Sequence, residues 1–500
     1  MSLETVFQGL FAVFTFPTVI YMLIGVLFGL LIGFIPGLGG SFLLAILIPF
    51  IYGMEPGPAM AFLLGGHAVC ATGGSISAIL FNTPGMGPNA ATLLDGYPMT
   101  QRGEAGRALG AALTSSALGG VFGVIVLILL IPVLRPVVLA FGPPEFFMLA
   151  LTGICFIAVV GEGPLKKALA AGGFGLLVSF VGYAPSSGDV RYGFGQLYLH
   201  DGIKLVPMAI GLFALAEMIS LAVRRGSIVD KGYTSASASG KGTLEGIKDV
   251  FRHWGLFLRC SALGTFIGII PGLGGDVACF MAYGHAAQTS KHGESFGKGN
   301  IEGVIAPESA NNSKEGGSLV PTLGFGIPGS SAMALLLGAF LILDLQPGPI
   351  MLTSKLDVVM IMAWTIAVAN VVAAGIALIS AKHFVKLTFL RGSIMVPLVL
   401  VLCTLGAFTT HNSMGDILVA LFFGLLGYYM KKYDYSRAVL ILGLVLGRIT
   451  EKNLNLSLRL FGGDFWMRPI ALILLSAVVL TLAIPMFRAL RRQHRGENRA

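Results

Sequence analysis

The sequence predicts an all-α integral membrane protein: roughly ten to twelve transmembrane helices, further re-entrant or broken helices, and two inverted-topology repeats. Three observations lead there. Of 500 residues, 55% are apolar and only 11% charged, against about 25% charged in soluble domains, and the mean hydropathy is +0.84. The 69 glycines are about double the usual share and follow no collagen-like period. A Gly/Pro motif also occurs twice, once in each half of the chain.

About 20 apolar residues cross a bilayer, so this apolar content supplies on the order of ten to twelve crossings. Disorder, a secreted disulfide scaffold and nucleic-acid binding are excluded together. The net charge of +9 is read as topology, because Lys and Arg gather in cytoplasmic loops. The five cysteines, Cys70, Cys155, Cys260, Cys279 and Cys403, show no close spacing of the kind that ligates metals and read as small core residues. Residues 1–16 carry no Lys or Arg, so no positively charged leader precedes the first apolar run, which is expected to be retained.

Strong apolar runs, expected as helices because lipid offers backbone groups no partner, lie near 17–35, 109–134, 144–160, 168–184, 205–223, 255–270, 332–345, 358–380, 396–410, 415–430 and 469–487. Between them, 41–52, 59–71, 75–82, 277–287 and 439–447 are too short to cross a core about 30 Å thick. Bounded by Gly or Pro, they read as discontinuous or re-entrant helices lining a cavity, or else as spans kinked at proline. The division that follows is a first membrane repeat (1–223), a basic cytoplasmic linker (224–253), a second repeat with additional helices (254–487) and a basic cytoplasmic tail (488–500).

The repeat is explicit. Residues 33–40, GFIPGLGG, return as 268–275, GIIPGLGG. Gly73-Gly74-Ser75 matches Gly316-Gly317-Ser318 at an offset of 243, and Pro84-Gly85 matches Pro328-Gly329 at 244. No basic residue precedes the helix entering the first PGLGG, whereas the 224–253 loop and Arg259 precede the second. The first helix is therefore expected to start outside and the second inside, which makes the halves inverted repeats.

Pro36, Gly37, Gly39 and Gly40, with Pro271, Gly272, Gly274 and Gly275, should stop their helices: proline removes a donor, and glycine accepts angles other residues avoid. A helix ending inside the membrane leaves carbonyls that suit a cation. The half-helix that follows leaves N–H groups that suit a carboxylate. Asn82, Thr83, Pro84 and Gly85 in one half, and Gly326, Pro328, Gly329, Ser330 and Ser331 in the other, add donors at a second pair of breaks, with Ser75 and Ser318 just upstream in what read as GGS turns. These residues are candidates for substrate binding, against the alternative of close packing between helices. Asn311 and Asn312 offer donors and acceptors; their alternative is a surface turn.

PGLGG twice, GGSISAILFNTPG followed by AATLLDGYPM, and EGVIAPESANN followed by GGSLVPTLGFGIPGS resemble the large membrane subunit of the bacterial tripartite tricarboxylate transporters, over nearly the whole chain to about residue 450. The resemblance implies a secondary transporter in a bacterial inner membrane. It would import a di- or tricarboxylate, citrate-like, on a cation gradient (Na⁺ or H⁺) with no other cofactor. It also implies a small four-helix membrane subunit and a periplasmic solute-binding protein as partners. No GxxxxGK[ST] phosphate loop occurs. Two departures stand out: Ala71-Thr72 where a tyrosine-containing stretch is expected, and Lys314-Glu315 where small or apolar residues are more usual.

Among acidic residues, Asp276 follows the second PGLGG where Ser41 follows the first. It reads as a cation or proton site, or as the cap of the next half-helix. Glu217 and Asp344 read as packing or interfacial groups, Arg135 as interfacial or as a substrate counter-charge, and His67 and His285, 218 apart, do not share the repeat offset and read as packed or solvated histidines. An enzyme would need a convergent nucleophile and base or a metal set, and no HExxH or GxSxG motif appears. A carrier that works alone, without a binding protein, is the other reading.

Overall fold

The computed structural model describes residues 2–160, 165–185, 187–224, 242–271, 273–384, 392–409 and 412–480. Gly272, most of the 224–253 linker and the 488–500 tail lie outside the described residues. The chain opens with α1 (Leu3–Val13), α2 (Thr18–Phe34), α3 (Gly40–Leu47), α4 (Pro56–Phe81), α5 (Asn89–Gln101), α6 (Ala105–Ala140), α7 (Pro143–Val160) and α8 (Leu165–Ser179). A two-residue-per-strand hairpin, β1 (Gly182–Tyr183) and β2 (Val190–Arg191), leads to α9 (Leu205–Ala209) and, through a π-helical turn, α10 (Ala216–Arg224). There follow α11 (Thr243–Arg252), α12 (Trp254–Ile269), α13 (Gly274–Thr289), α14 (Glu302–Phe325), α15 (Ser331–Ile342), α16 (Leu356–Phe384), α17 (Gly392–Thr409), α18 (Met414–Lys432) and α19 (Arg437–Phe461). A last described helix, α20, covers Pro469–Leu480.

The architecture is that of an all-α membrane protein. Among the described residues, five helices are long and apolar enough to cross a bilayer, and up to seven if each of two bent pairs forms one span. The pairs are α1 with α2, bent by 67°, and the α19 segment with α20, bent by 68°. Continuous runs of exposed apolar side chains, such as Phe7, Phe11, Ile20, Leu23, Leu27 and Phe28 on α1 and α2, are what a lipid-facing surface requires.

Fewer helices meet the span criterion than the apolar runs suggested. Some runs form short helices: α12 has 16 residues and α15 has 12. Another helix, outside those runs, is too polar to count by hydropathy yet is buried in protein. Asn311 and Asn312, for which a surface turn is the alternative, lie inside the 24-residue helix α14, Glu302–Phe325, in which Gly303–Gly324 are buried throughout.

Both PGLGG motifs break helices as expected. α2 stops at Phe34 and α3 starts at Gly40; α12 stops at Ile269 and α13 starts at Gly274. Gly37 (φ 84°) and Gly274 (φ 67°) take the left-handed conformation that favours glycine. The GGS segments are not turns: the runs 59–71 and 75–82 are one 26-residue helix, α4, that passes through Gly73-Gly74-Ser75, and Gly316-Gly317-Ser318 lies inside α14. The 439–447 run likewise belongs to the 25-residue α19. In these places glycine thins a helix so that a neighbour can approach.

By contacts the chain forms two compact units, residues 1–135 with 206–428, and 136–205 with 429–500. The first holds both PGLGG breaks. In the second, α19 packs on α7 and α8, with Gly443 against the Gly172 carbonyl. There Arg191 spans the Glu451 carboxylate at 2.8 and 2.9 Å, hydrogen bonds that hold its guanidinium above the usual arginine range. Arg468 bonds the buried Glu145 at 2.6 Å.

Candidate functional site

The site is built from two helix pairs in which glycine lets backbones touch. On α2, a Cβ at Gly29 would lie 2.2 Å from the Gly66 carbonyl of α4, and one at Gly33 would lie 1.9 Å from that of Cys70. On α12, Gly264 meets the Ala310 carbonyl of α14 at 2.5 Å and Gly268 meets that of Lys314 at 2.3 Å. In return, Gly73 faces the Leu30 carbonyl and Gly317 that of Thr265. All these contacts correspond at an offset of 235 for α2 with α12 and 244 for α4 with α14. The GGS match at 243 is therefore one residue out of register: Gly73 corresponds to Gly317, and Ser75 to Leu319 rather than to Ser318. A spatial counterpart for His67 also emerges, and it is Asn311, not His285.

The breaks of one half touch those of the other. Ser41, in the first turn of α3, bonds Ser331, which opens α15, at 2.9 Å. At the corresponding place, Asp276 in the first turn of α13 lies against Gly87, just before α5, whose Cβ would sit 2.0 Å from Asp276 Oδ1. Gly37 N–H donates to the Gly85 carbonyl at 3.0 Å, tying the two breaks of the first half together. Four helix N-termini, those of α3, α5, α13 and α15, thus meet in two pairs. Each brings N–H groups without an intrahelical backbone partner and a partial positive charge.

A buried chain of charge links the two pairs. His67 Nε2 bonds Glu315 at 3.1 Å, and Lys314 Nζ bonds the other oxygen of Glu315. His67 Nδ1 lies against Gly40 at the start of α3, and the Lys314 stem lies against Gly275 at the start of α13. Glycine is needed at both starts, since a Cβ at Gly40 would stand 2.4 Å from that ring nitrogen and one at Gly275 2.6 Å from the Lys314 stem. The His67 ring, expected to be merely packed, and the Lys314-Glu315 dipeptide, noted only as a departure, are the charged parts of this site.

The other candidates fall into three groups. Asn82 caps α4 in the left-handed conformation (φ 53°), and Gly326 caps α14 likewise (φ 67°). Ser330 caps α15, accepting from the Met333 N–H at 3.3 Å, and Gly39 precedes α3. Thr83 bonds back to the Phe81 carbonyl. Gly85 and Gly329 press against the Gly33 and Gly268 carbonyls, and Pro36, Pro84, Pro271 and Pro328 stand in the breaks beside them. These residues shape the breaks. Away from them, Asn312 bonds Thr72 and Asn370, so it joins helices. Ser75 donates to Glu308 at 2.7 Å inside the helix bundle. Asn311 and the Ser318 hydroxyl are buried with no protein partner; the residue at the place corresponding to Glu315 is Ala71, which gives Asn311 nothing to bond.

Asp276 occupies the first turn of α13, where a carboxylate is favoured by the helix dipole. No group of three or more His, Cys, Asp or Glu that could hold a metal ion occurs among the described residues. Sequence reasoning missed Glu308, Thr92, Ser116 and Asn89. A buried carboxyl inside APESANN was the available signal, but its hydroxyl partners come from three other helices.

Fold and site define a multi-pass membrane transporter component. The chain belongs to the tripartite tricarboxylate transporter TctA family, which it matches over residues 19–442; transporters of this family work with partner subunits. It is 32% identical over 477 residues, 95% of this chain and 94% of the relative, to the "Uncharacterized 52.8 kDa protein in TAR-I ttuC' 3'region" of Agrobacterium vitis. It is also 32% identical over 237 residues, 46% of this chain and 98% of the relative, to the "Uncharacterized protein in TAR-II ttuC' 3'region" of the same organism. No solved structure matches.

Proposed function

We propose that the protein is the large permease subunit of a binding-protein-dependent secondary transporter that imports a di- or tricarboxylate, citrate-like, across the bacterial inner membrane on a cation gradient. The observation that carries this reading is the meeting of four helix N-termini in two pairs, at Ser41 with Ser331 and at Asp276 with Gly87. Two separated clusters of backbone donors suit a molecule with two or more carboxylates. At the first pair, serine hydroxyls and bare backbone hold a carboxylate without a fixed salt bridge, so it is released again. We infer that the matched contacts descend from two inverted repeats and that alternating access exchanges the roles of the two halves.

A small four-helix membrane subunit and a periplasmic binding protein are the proposed partners. Uptake of labelled citrate into proteoliposomes, with and without both, is the test. Accumulation that requires both supports the reading. Uptake by this chain alone would favour the stand-alone carrier, and chemical turnover without accumulation would revive the enzyme.

A further inference from the structure

Away from the breaks, three hydroxyls from three helices close around one carboxyl. Glu308 of α14 is fully buried. Its Oε1 accepts from Ser75 Oγ of α4 at 2.7 Å and from Thr92 Oγ1 of α5 at 2.5 Å, and its Oε2 accepts from Ser116 Oγ of α6 at 2.6 Å. Asn89 Nδ2, at the start of α5, donates to Ser75 Oγ at 2.9 Å and joins the cluster to the 82–88 break. Among the described residues, no basic nitrogen lies within ion-pairing distance of Glu308.

Most of the ionisable groups on the surrounding helices are engaged elsewhere. On α14, Lys314 pairs with Glu315, and Glu302 faces His253. On α4, His67 bonds Glu315. On α5, Asp95 accepts from the Tyr283 hydroxyl and from the Gly299 and Asn300 N–H groups. On α6, Arg107 pairs with Asp249. On α13, Asp276 lies against Gly87, Cys279 donates to the Pro307 carbonyl, and His285 Nε2 is buried with no hydrogen-bond partner among the described residues. On α12, Arg259 bonds the Gly255 carbonyl and Cys260 that of Ala282. On α16, Asn370, which bonds Asn312, is neutral.

An ionised carboxylate in this position is a charge that no neighbour neutralises, which a low-dielectric interior strongly disfavours. A proton removes that cost, and rotatable hydroxyls can accept from the resulting O–H as readily as they donate. A metal ion does not fit instead. Oxygens 2.5–2.7 Å apart hold a hydrogen between them, whereas a calcium-sized cation needs about 2.3–2.6 Å to each oxygen.

We propose that Glu308 is the proton-carrying group of transport: it takes up one proton from one side of the membrane and, after the helices rearrange, gives it up to the other. The inference rests on the transporter reading above and names its coupling ion. Thr92 and Asn89 belong to α5, which begins at the break, so movement there changes how many donors the carboxylate has and hence its hold on the proton.

The test uses the purified protein with its partner subunits in proteoliposomes and labelled citrate as the probe. Glu308→Gln keeps the shape and removes the titration. An inside-alkaline gradient of one pH unit should drive up to about tenfold accumulation per coupled proton in the wild type, and none in the variant, while citrate exchange at equal concentrations persists. Undiminished pH-driven accumulation in the variant, or a sodium gradient driving both proteins equally at equal pH, overturns the proposal. Ser116→Ala, which keeps the carboxyl and removes one donor to its charged form, should move the pH profile of uptake to the alkaline side; an unmoved profile counts against the proposal. Infrared titration of the purified chain needs no substrate. A protonated-carboxyl band that is lost in Glu308→Gln supports the proposal even if citrate is not carried, and identical bands in both proteins refute it.

Discussion

Ser41 and Ser331 are 290 residues apart in sequence, yet their hydroxyls bond at 2.9 Å, joining the helix that starts after the first PGLGG to the one that starts after the second half's Pro-Gly break. Shifted by the offsets of the two helix pairs, the same contact becomes Asp276 against Gly87. The two contacts differ in chemistry. One is a pair of neutral hydroxyls; the other sets a carboxylate beside bare backbone. The two places match in geometry and differ in charge.

The helix pairs that carry these contacts depend on glycine. Gly33→Ala and Gly268→Ala place a methyl 1.9 and 2.3 Å from backbone oxygens that cannot step aside. Each should cost about 1–3 kcal/mol or more through overpacking, read as a lower melting temperature in detergent. Gly255→Ala, where a Cβ meets nothing within 4 Å, should leave it unchanged.

The ends of α4 and α14 should respond in parallel. Gly326→Ala forces a side chain into φ 67° and should destabilise by about 1–2 kcal/mol. Asn82→Val should cost a similar amount and Asn82→Gly little, since asparagine already tolerates this conformation. Thermal unfolding of the three variants checks the ranking.

The buried charges stand or fall as a group. Lys314→Met leaves Glu315 with only His67 and should destabilise by about 3–5 kcal/mol, the usual loss when one partner of a buried pair is removed. The double variant Lys314→Met, Glu315→Gln removes the stranded charge and should recover much of that loss. A double variant no more stable than the single one would mean that Lys314 acts through packing alone.

Asp276→Asn separates the two acidic positions. The amide still fits beside Gly87, so expression should be normal and citrate affinity altered, while the response of uptake to a pH gradient is kept. Loss of that response in Asp276→Asn, with Glu308→Gln unaffected, would place the coupling at the start of α13.

Orientation has its own check. Reporter fusions at residues 8 and 238 should lie on opposite sides of the membrane. The same side for both would remove the inverted relation between the halves.

The sequence by itself determined the solvent, the helical class and the places where helices break. Each of these follows from local chemistry: apolar content forces helices in lipid, and Pro-Gly-Leu-Gly-Gly cannot continue one. The family, too, was legible in its motifs. Only the tertiary structure decided what lies beside what. It showed that the GGS segments are helix contacts, not turns, that His67 corresponds to Asn311, and that Glu308, Ser75, Thr92 and Ser116 form one cluster. The reason is physical. A break is a property of a few adjacent residues, whereas the environment of a buried charge is set by side chains from helices far apart in sequence, where one residue of register separates a partner from a neighbour.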